Sequence, residues 1–143
     1  MKTLYTAEAL ASGEGRDGNA RTKDGKLDVV LASPVELGGN GQGTNPEQLF
    51  AAGYAACFHS ALRLVGRKAR ADLSDSAVAA KIHFGALDAG EGYGLAAELE
   101  IALPALDRET AEQLVEKAHR ICPYSNATRG NMRVDITLVE VAA

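Results

Sequence analysis

The chain has 143 residues, a length that predicts one domain over residues 1–143 with a hydrophobic core of its own. Its 15 Lys and Arg residues against 19 Asp and Glu give a net charge of -4, which argues against nucleic acid and anionic lipid as partners. The N-terminus has no apolar leader, and the longest apolar run, Phe50 to Phe58, is too short to span a membrane. We therefore expect a cytoplasmic protein with no membrane association.

The first third of the chain predicts a small antiparallel sheet. Leu4 to Ala11 is the first predicted strand. Arg16 to Thr22 and Lys26 to Leu31 are the next two, joined by Asp24-Gly25, a dipeptide that favours a tight hairpin turn.

A long helix is predicted to follow this sheet. Thr44 and Glu47 match the Ser/Thr-x-x-Glu pattern of a capping box, in which the carboxylate bonds back to the amide of the first residue. Pro46 suits the first turn, and a stretch rich in Ala, Leu and Phe continues the helix to about Arg70.

The second half of the chain mixes strands with one more helix. The pattern predicts a hairpin around the Gly90 to Gly94 turn, a helix capped by Asp107 and ended by Pro123, and a last strand. Strands and helices without regular alternation are typical of an α+β fold. The predicted ranges are Ala77 to Asp88 and Tyr93 to Leu103 for the hairpin, Asp107 to Cys122 for the helix, and Arg133 to Val141 for the strand.

Two cysteines, Cys57 and Cys122, are the first candidates for chemistry. Their spacing excludes a C-x-x-C dithiol and a four-cysteine zinc site, and a permanent disulfide is unexpected in a cytosolic chain. Cys57 lies in the most apolar part of the first helix, where a free thiol usually packs as a small hydrophobe. Cys122 ends the second helix, whose negative dipole end disfavours a thiolate, so Cys122 is the poorer candidate nucleophile.

Two charged residues are further candidates. Arg16 lies among glycines that let the backbone bend around it, although a solvated arginine at the start of a strand explains it as well. For Glu47, the local pattern favours the capping box.

The three histidines leave metal and hydrolase alternatives open. His119 and Cys122 lie one helical turn apart and could share a metal, but Cys57 and His59 lie about 200 degrees apart round a helix. A four-ligand metal site is therefore not expected. A Cys-His nucleophile pair through His83 or His119 stays open, although we expect His83 on a strand and His119 exposed on a helix.

Three stretches of the sequence carry a resemblance to a known family. They are Gly15-Arg16-Asp17-Gly18, the stretch Thr44 to Phe58, which begins Thr-Asn-Pro-Glu, and the stretch Cys122 to Asn131, which begins Cys-Pro-Tyr-Ser-Asn. On these motifs and their order, the chain resembles the organic hydroperoxide resistance branch (Ohr) of the Ohr/OsmC proteins over essentially its whole length.

The resemblance implies an architecture and an activity. The fold would be an OsmC-like α+β fold, in which two antiparallel sheet regions pack around a long central helix and a second helix, assembled as an intertwined homodimer. The activity would be that of a thiol-dependent peroxidase, which reduces alkyl and fatty-acid hydroperoxides to alcohols and uses no metal, haem or flavin.

The resemblance also implies roles for the candidate residues. Cys57 matches the peroxidatic cysteine, which passes through a sulfenic acid, and Cys122 matches the resolving cysteine, which forms a disulfide with it. Arg16 and Glu47 match the charged pair that activates the thiol. The disulfide would be recycled by dihydrolipoyl groups on a lipoylated protein, that is, by a dithiol such as dihydrolipoamide.

Elementary electrostatics supports these roles. A thiol of ordinary pKa is only about 3% thiolate at pH 7, and the thiolate is the nucleophile. One guanidinium about 4 Å away supplies on the order of 4 kcal/mol, or up to about three pKa units, less what a carboxylate cancels. We expect Arg16 to supply this charge and Glu47 to hold its planar fork in place. We also predict an apolar wall that would bind the alkyl chain of a substrate, although its residues could equally be ordinary core residues. The predicted wall consists of Leu49, Phe50, Tyr54 and Phe58.

Helix geometry places a constraint on the charged pair. In an unbroken helix, Glu47 lies ten residues from Cys57, which is about 15 Å along the axis and beyond hydrogen-bond reach. Either the helix breaks near Gly53, or Arg16 and Glu47 act on Cys57 from the other subunit of a dimer. We favour the second, because the stretch Leu49 to Phe58 is strongly helix-prone and apolar enough for an interface.

Two other functional classes remain open from the sequence. One is a noncatalytic OsmC-like domain that binds small apolar molecules or senses redox state through the same thiols. The other is a Cys-His hydrolase, whose activity would survive the loss of Cys122.

Overall fold

The computed structural model describes every residue of the chain, 1–143. The chain forms two compact units, Met1–Leu49 and Phe50–Ala143, and the single domain expected from its length stays a prediction. The elements in chain order are β1 (Ala9–Ser12), β2 (Asn19–Thr22), β3 (Asp28–Val30), α1 (Pro46–Lys68), β4 (Ala77–Ala86), β5 (Tyr93–Ala102), α2 (Arg108–Ile121), α3 (Pro123–Thr128) and β6 (Val134–Val139).

The first unit contains a three-stranded antiparallel sheet in the order β1-β2-β3, as predicted. The Asp24-Gly25 turn joins β2 to β3, with Gly25 in the left-handed region at a φ of 72°. β1 begins at Ala9 and not at Leu4, because β2 ends at Thr22 and leaves the segment around Leu4 without a facing strand.

The second unit contains a sheet in the order β4-β5-β6. β4 and β5 form the predicted antiparallel hairpin. β6 pairs with β5 in parallel, so the expectation of a fully antiparallel second sheet is wrong for this pair. The reason is that α2 and α3 lie in the connection between the two strands, and a crossover of this length permits parallel pairing. The predicted α+β class is confirmed.

The hydrophobic core of the second unit is built around α1. This helix buries Tyr54, Phe58 and Leu62 completely. By length and composition alone α1 could cross a membrane, with a mean hydropathy of 1.2, but core helices of soluble proteins meet the same criterion. In this structure α1 contributes one buried face to the core of the second unit. The other buried members of the core are Ala61, Leu73, Ala97, Leu99, Ile101, Leu103, Ala111, Leu114, Ala118 and Cys122.

Helix α3 is an element that the sequence pattern does not predict. Pro123 ends α2, as expected, but it is also the first residue of α3, a position that proline favours. Cys122 lies between the two helices with an extended backbone, at a φ of -63° and a ψ of 122°. The second cysteine is therefore held at a corner between two helices and not at a free helix end.

Candidate active site

Arg16 and Glu47 form a bidentate ion pair within the first unit. Arg16 Nη1 donates to Glu47 Oε2 at 2.9 Å, and Arg16 Nη2 donates to Glu47 Oε1 at 2.6 Å. Two parallel bonds of this kind fix the plane of the guanidinium, which the single ammonium of a lysine cannot match. Arg16 therefore lies in a turn before β2 and is held in one orientation by Glu47, although its side chain stays partly exposed.

The capping-box interpretation of Glu47 is wrong. The Thr44 amide donates to a carbonyl of β3 at 3.0 Å, so the Glu47 carboxylate does not bond to it. Asn45 caps the helix instead, because its Oδ1 accepts from the Gln48 amide at 2.9 Å. The Glu47 carboxylate is thereby left for the ion pair.

A glycine-rich turn positions Arg16. The turn is a short 3-10 helix, Gly15–Asp17, which takes the place of the first residues predicted for β2. Gly15 has a φ of 63°, in the region that favours glycine, and a Cβ on Gly18 would lie 2.1 Å from a backbone carbonyl oxygen. Both glycines are needed for the chain to bend so sharply around the arginine.

Arg16 also sets the ionisation of Glu47. Its side-chain hydrogen bonds hold the pKa of the Glu47 carboxyl below the ordinary value, and they outweigh partial burial, which acts in the opposite direction. Glu47 raises the pKa of Arg16 through the same hydrogen bonds. Both groups are therefore charged at neutral pH.

The two cysteines meet within the second unit. Cys57 is carried by α1 and is half-buried, whereas Cys122 follows α2 and is fully buried. The Cys122 thiol donates to the Cys57 sulfur, with 3.6 Å between the two sulfurs. A disulfide bond is about 2.05 Å long, so a closure of about 1.5 Å would join them. Cys57 is therefore one of a thiol pair and not an isolated core cysteine.

Burial raises the pKa of the Cys57 thiol above its ordinary value. The Tyr124 backbone N–H donates to the Cys57 sulfur and acts in the opposite direction, but burial outweighs it. In these surroundings Cys57 is a neutral thiol at pH 7. A nucleophilic role therefore needs a cation at the sulfur.

Aromatic side chains pack along the same face of α1 as Cys57. Phe50, Tyr54 and Tyr124 contact one another, with ring centroids 5.7 to 6.1 Å apart. Gly53 makes room for Tyr124, because a Cβ there would lie 2.7 Å from the phenol oxygen. Sequence reasoning missed Tyr124 as a neighbour of the site, and its place just after the second cysteine was the only signal.

The four residues predicted to form an apolar wall differ in burial. Tyr54 and Phe58 are fully buried, whereas Leu49 and Phe50 are partly exposed. Only the partly exposed pair can touch a substrate without a change in packing. Substrate binding by all four residues stays a prediction.

Each histidine has a partner other than a cysteine. His83 lies on β4, as predicted, with Nε2 3.0 Å from Glu98 Oε1, and His59 Nε2 is 3.0 Å from a serine hydroxyl. The expectation that His119 is exposed is wrong, because α3 follows α2 directly and brings Ser125 Oγ to 2.9 Å from His119 Nδ1. These partners do not favour a Cys-His hydrolase. No group of three or more His, Cys, Asp and Glu side chains is arranged to hold a metal ion.

The chain is similar to known proteins over almost its whole length. Residues 39–137 match the family model described as OsmC-like protein. The chain is 49% identical over 139 residues to the organic hydroperoxide resistance protein of Xanthomonas axonopodis pv. citri (strain 306), covering 96% of each chain. Its structure resembles an organic hydroperoxide resistance protein from Elizabethkingia anophelis, with a TM-score of 0.93 and 46% identity over 99% of this chain and 100% of that one. It also resembles OhrB of Bacillus subtilis, with a TM-score of 0.87 and 41% identity over 96% of this chain and 100% of that one. These likenesses confirm the OsmC-like fold.

Arg16→Ala is expected to raise the pKa of the Glu47 carboxyl toward its ordinary value of 4.5, because the hydrogen bonds that hold it down are lost. Since the folded-state pKa is depressed, the pair stabilises the protein above that ordinary value, and the contribution is lost as the pH falls through the folded-state pKa. An NMR titration of the Glu47 carboxyl carbon measures the shift. Arg16→Lys is the control and should recover only part of the lowering. An unchanged midpoint in Arg16→Ala would contradict the pairing.

Mild oxidation is expected to join Cys57 and Cys122 of the same chain in a disulfide, because sulfurs 3.6 Å apart need little movement to bond. The link is detected by mass spectrometry of peptides from protein treated with a stoichiometric amount of hydroperoxide and digested without reductant. Cys122→Ser is the control, in which Cys57 should over-oxidise to sulfinic acid. Sulfinic Cys57 beside a free Cys122 in the unaltered chain is the contrary result.

Proposed function

The chain belongs to the OsmC-like protein family, within its organic hydroperoxide resistance group, and from this premise we propose that it is a thiol-dependent peroxidase that reduces organic hydroperoxides to alcohols. The observation that carries the proposal is the pair Cys57 and Cys122, whose sulfurs are 3.6 Å apart. The proposed substrates are alkyl and fatty-acid hydroperoxides, and the proposed setting is the oxidative stress response in the cytoplasm.

The proposed reaction begins with attack of the Cys57 thiolate on the terminal oxygen of R-O-O-H. The O-O bond breaks, Cys57 becomes a sulfenic acid, and the alkoxide leaves and takes up a proton to become the alcohol. The Cys122 thiol then attacks the sulfenic sulfur, which forms the disulfide and releases water. A dithiol reduces this disulfide by thiol-disulfide exchange, and the proposed donor is a dihydrolipoyl group on a lipoylated protein.

Arg16 is the proposed source of the positive charge that Cys57 needs. Burial raises the pKa of this thiol, so a nearby cation is required to stabilise the thiolate at neutral pH. Glu47 holds the guanidinium of Arg16 in one plane, which suits it to face a sulfur and an incoming peroxide together. The same guanidinium would stabilise the negative charge that develops on the leaving oxygen.

The charged pair is proposed to act on Cys57 of a second subunit. α1 is unbroken from Pro46 to Lys68, so the alternative of a helix break at Gly53 is wrong. Glu47 and Cys57 lie ten residues apart on this helix, which corresponds to about 15 Å along its axis. A second copy of the chain would supply the charged pair to this thiol.

An intertwined homodimer is the proposed assembly. Large apolar side chains are exposed in the first unit, and a second copy of the chain would cover them. They include Leu4, Tyr5, Leu10, Val30 and Val35.

Catalytic turnover is the test of the peroxidase. With cumene hydroperoxide and dihydrolipoamide, many turnovers per Cys57 are expected, measured as the loss of hydroperoxide. Cys57→Ser should abolish the reaction, whereas Cys122→Ser should keep the first turnover and lose recycling by the dithiol. A single turnover in the unaltered chain would indicate a redox sensor, and binding without turnover would indicate a small-molecule binder. Either result would overturn the proposal.

A mixture of two inactive variants is expected to regain activity if the site is shared between subunits. Cys57→Ser chains keep Arg16, and Arg16→Ala chains keep Cys57, so each heterodimer contains one complete site. After full random exchange of equal amounts, about a quarter of the activity of the unaltered dimer is expected.

The matched control for this mixture pairs Cys57→Ser chains with chains that carry both substitutions, and it should stay inactive. Mass spectrometry of differently tagged chains verifies the exchange. Background activity in a verified heterodimer would show that Arg16 and Cys57 are not shared between subunits.

A further inference from the structure

A chain of buried hydroxyl groups links α1, α2 and α3 in the second unit. Tyr54 and Ser125 are fully buried, and Thr128 is 4% exposed. Tyr54 Oη is 3.0 Å from Ser125 Oγ and 3.1 Å from Thr128 Oγ1. Thr128 Oγ1 donates to the Ser125 carbonyl at 3.3 Å, and His119 Nδ1 is 2.9 Å from Ser125 Oγ.

The number of available hydrogens sets the direction of every bond in this chain. The four bonds need four hydrogens, and the three hydroxyl groups supply one each. The fourth must come from His119, which therefore carries a hydrogen on Nδ1. The order is His119 Nδ1 to Ser125 Oγ, Ser125 Oγ to Tyr54 Oη, Tyr54 Oη to Thr128 Oγ1, and Thr128 Oγ1 to the Ser125 carbonyl.

The imidazole of His119, the first donor in this series of hydrogen bonds, is neutral. Burial, and after it the charge of Arg129, lowers the pKa of His119 below its ordinary value. Arg129 also donates from Nη2 to the His119 carbonyl at 2.5 Å, which ties it to the end of α2. Because the hydrogen on Nδ1 is present in the neutral and the charged ring alike, the bond to Ser125 does not depend on the charge of His119.

The chain of bonds holds the first turn of α3 from two sides. Ser125 is bound to Tyr54 of α1 and to His119 of α2. The residue before it is Tyr124, whose backbone N–H donates to the Cys57 sulfur. A displacement of Ser125 would therefore move the amide away from the sulfur.

We propose that His119 is a positioning residue of the two-cysteine site. His119 is the first donor in the series of hydrogen bonds. It orients Ser125 and so holds the Tyr124 amide on the Cys57 sulfur. Its importance for peroxide reduction rests on the proposed function, whereas its effect on the Cys57 thiol does not.

The first experiment reads the ring of His119 directly. NMR of the full chain with labelled histidine identifies which ring nitrogen carries the hydrogen at neutral pH. A neutral ring protonated on Nδ1 is expected. A neutral ring protonated on Nε2, with no hydrogen on Nδ1, would overturn the inference.

The second experiment compares two substitutions of His119. The side-chain amide of His119→Asn can donate from about the place of Nδ1, whereas His119→Leu keeps the bulk and has no donor. The readout is the pH midpoint of Cys57 alkylation by iodoacetamide, followed on the Cys57 peptide. His119→Leu should raise the midpoint by about one pH unit, the effect of weakening a hydrogen bond to a thiolate. His119→Asn should stay within about 0.3 of a unit of the unaltered chain.

His83→Leu is the matched control, because His83 is an exposed histidine on β4 and its loss should leave the midpoint unchanged. Circular dichroism verifies the fold of each variant, and Ser125→Ala, expected to give the same rise, replaces His119→Leu if that variant does not fold. The inference would be overturned if the midpoint of His119→Leu did not shift. It would also be overturned if His119→Asn and His119→Leu shifted the midpoint equally. All readouts use the resting protein, so a failure of peroxide turnover bears on the proposed function alone.

Discussion

The burial of Cys57 beside a second thiol is the constraint on which the rest of the site depends. Burial favours the neutral thiol, whereas reaction with a peroxide needs the thiolate. Within its own unit the sulfur receives one opposing contribution, the N–H of Tyr124. The proposed second contribution is the guanidinium of Arg16, which is too strongly basic to lose its proton and is therefore suited to a dry site. Apolar surroundings also suit the alkyl part of an organic hydroperoxide.

The position of Tyr124 depends in turn on tertiary contacts of α3. A helix of six residues has little stability of its own, because the cost of its first turn is spread over few hydrogen bonds. Tertiary hydrogen bonds stabilise the short helix instead. Ser125 and Thr128 are bonded to Tyr54, and Ser125 is also bonded to His119. The aromatic ring and hydroxyl of Tyr54 thus serve the core and the site together.

The Arg16-Glu47 pair has a different role in the molecule. Its members are partly exposed, with 38% and 16% of the side-chain surface accessible, so solvent screens their attraction and little stability is expected from it. The two parallel hydrogen bonds instead give the guanidinium one defined orientation. A glycine-rich turn and the first turn of α1 together hold this geometry, which supports the proposed role of the pair.

The sequence by itself determined the local elements. Asp24-Gly25 makes a turn because its residues tolerate the backbone angles required, and Asp107 caps α2 because its carboxylate accepts from an amide three residues on. These signals act over a few residues, so they can be read without the fold. The motifs around Cys57 and Cys122 also identified the family, because a long and specific motif can be recognised from the order of residues alone, without knowledge of the fold.

Only the tertiary structure decided which groups meet. The Glu47 carboxylate could cap its own helix or bind an arginine 31 residues away. It binds Arg16, because the side chain of Asn45 caps the helix instead. The parallel pairing of β6 and the partial burial of His119 likewise follow from how α2 and α3 return the chain to the sheet. The 3.6 Å between two sulfurs 65 residues apart has the same origin, because the packing of whole helices, and no local pattern, sets contacts at that separation.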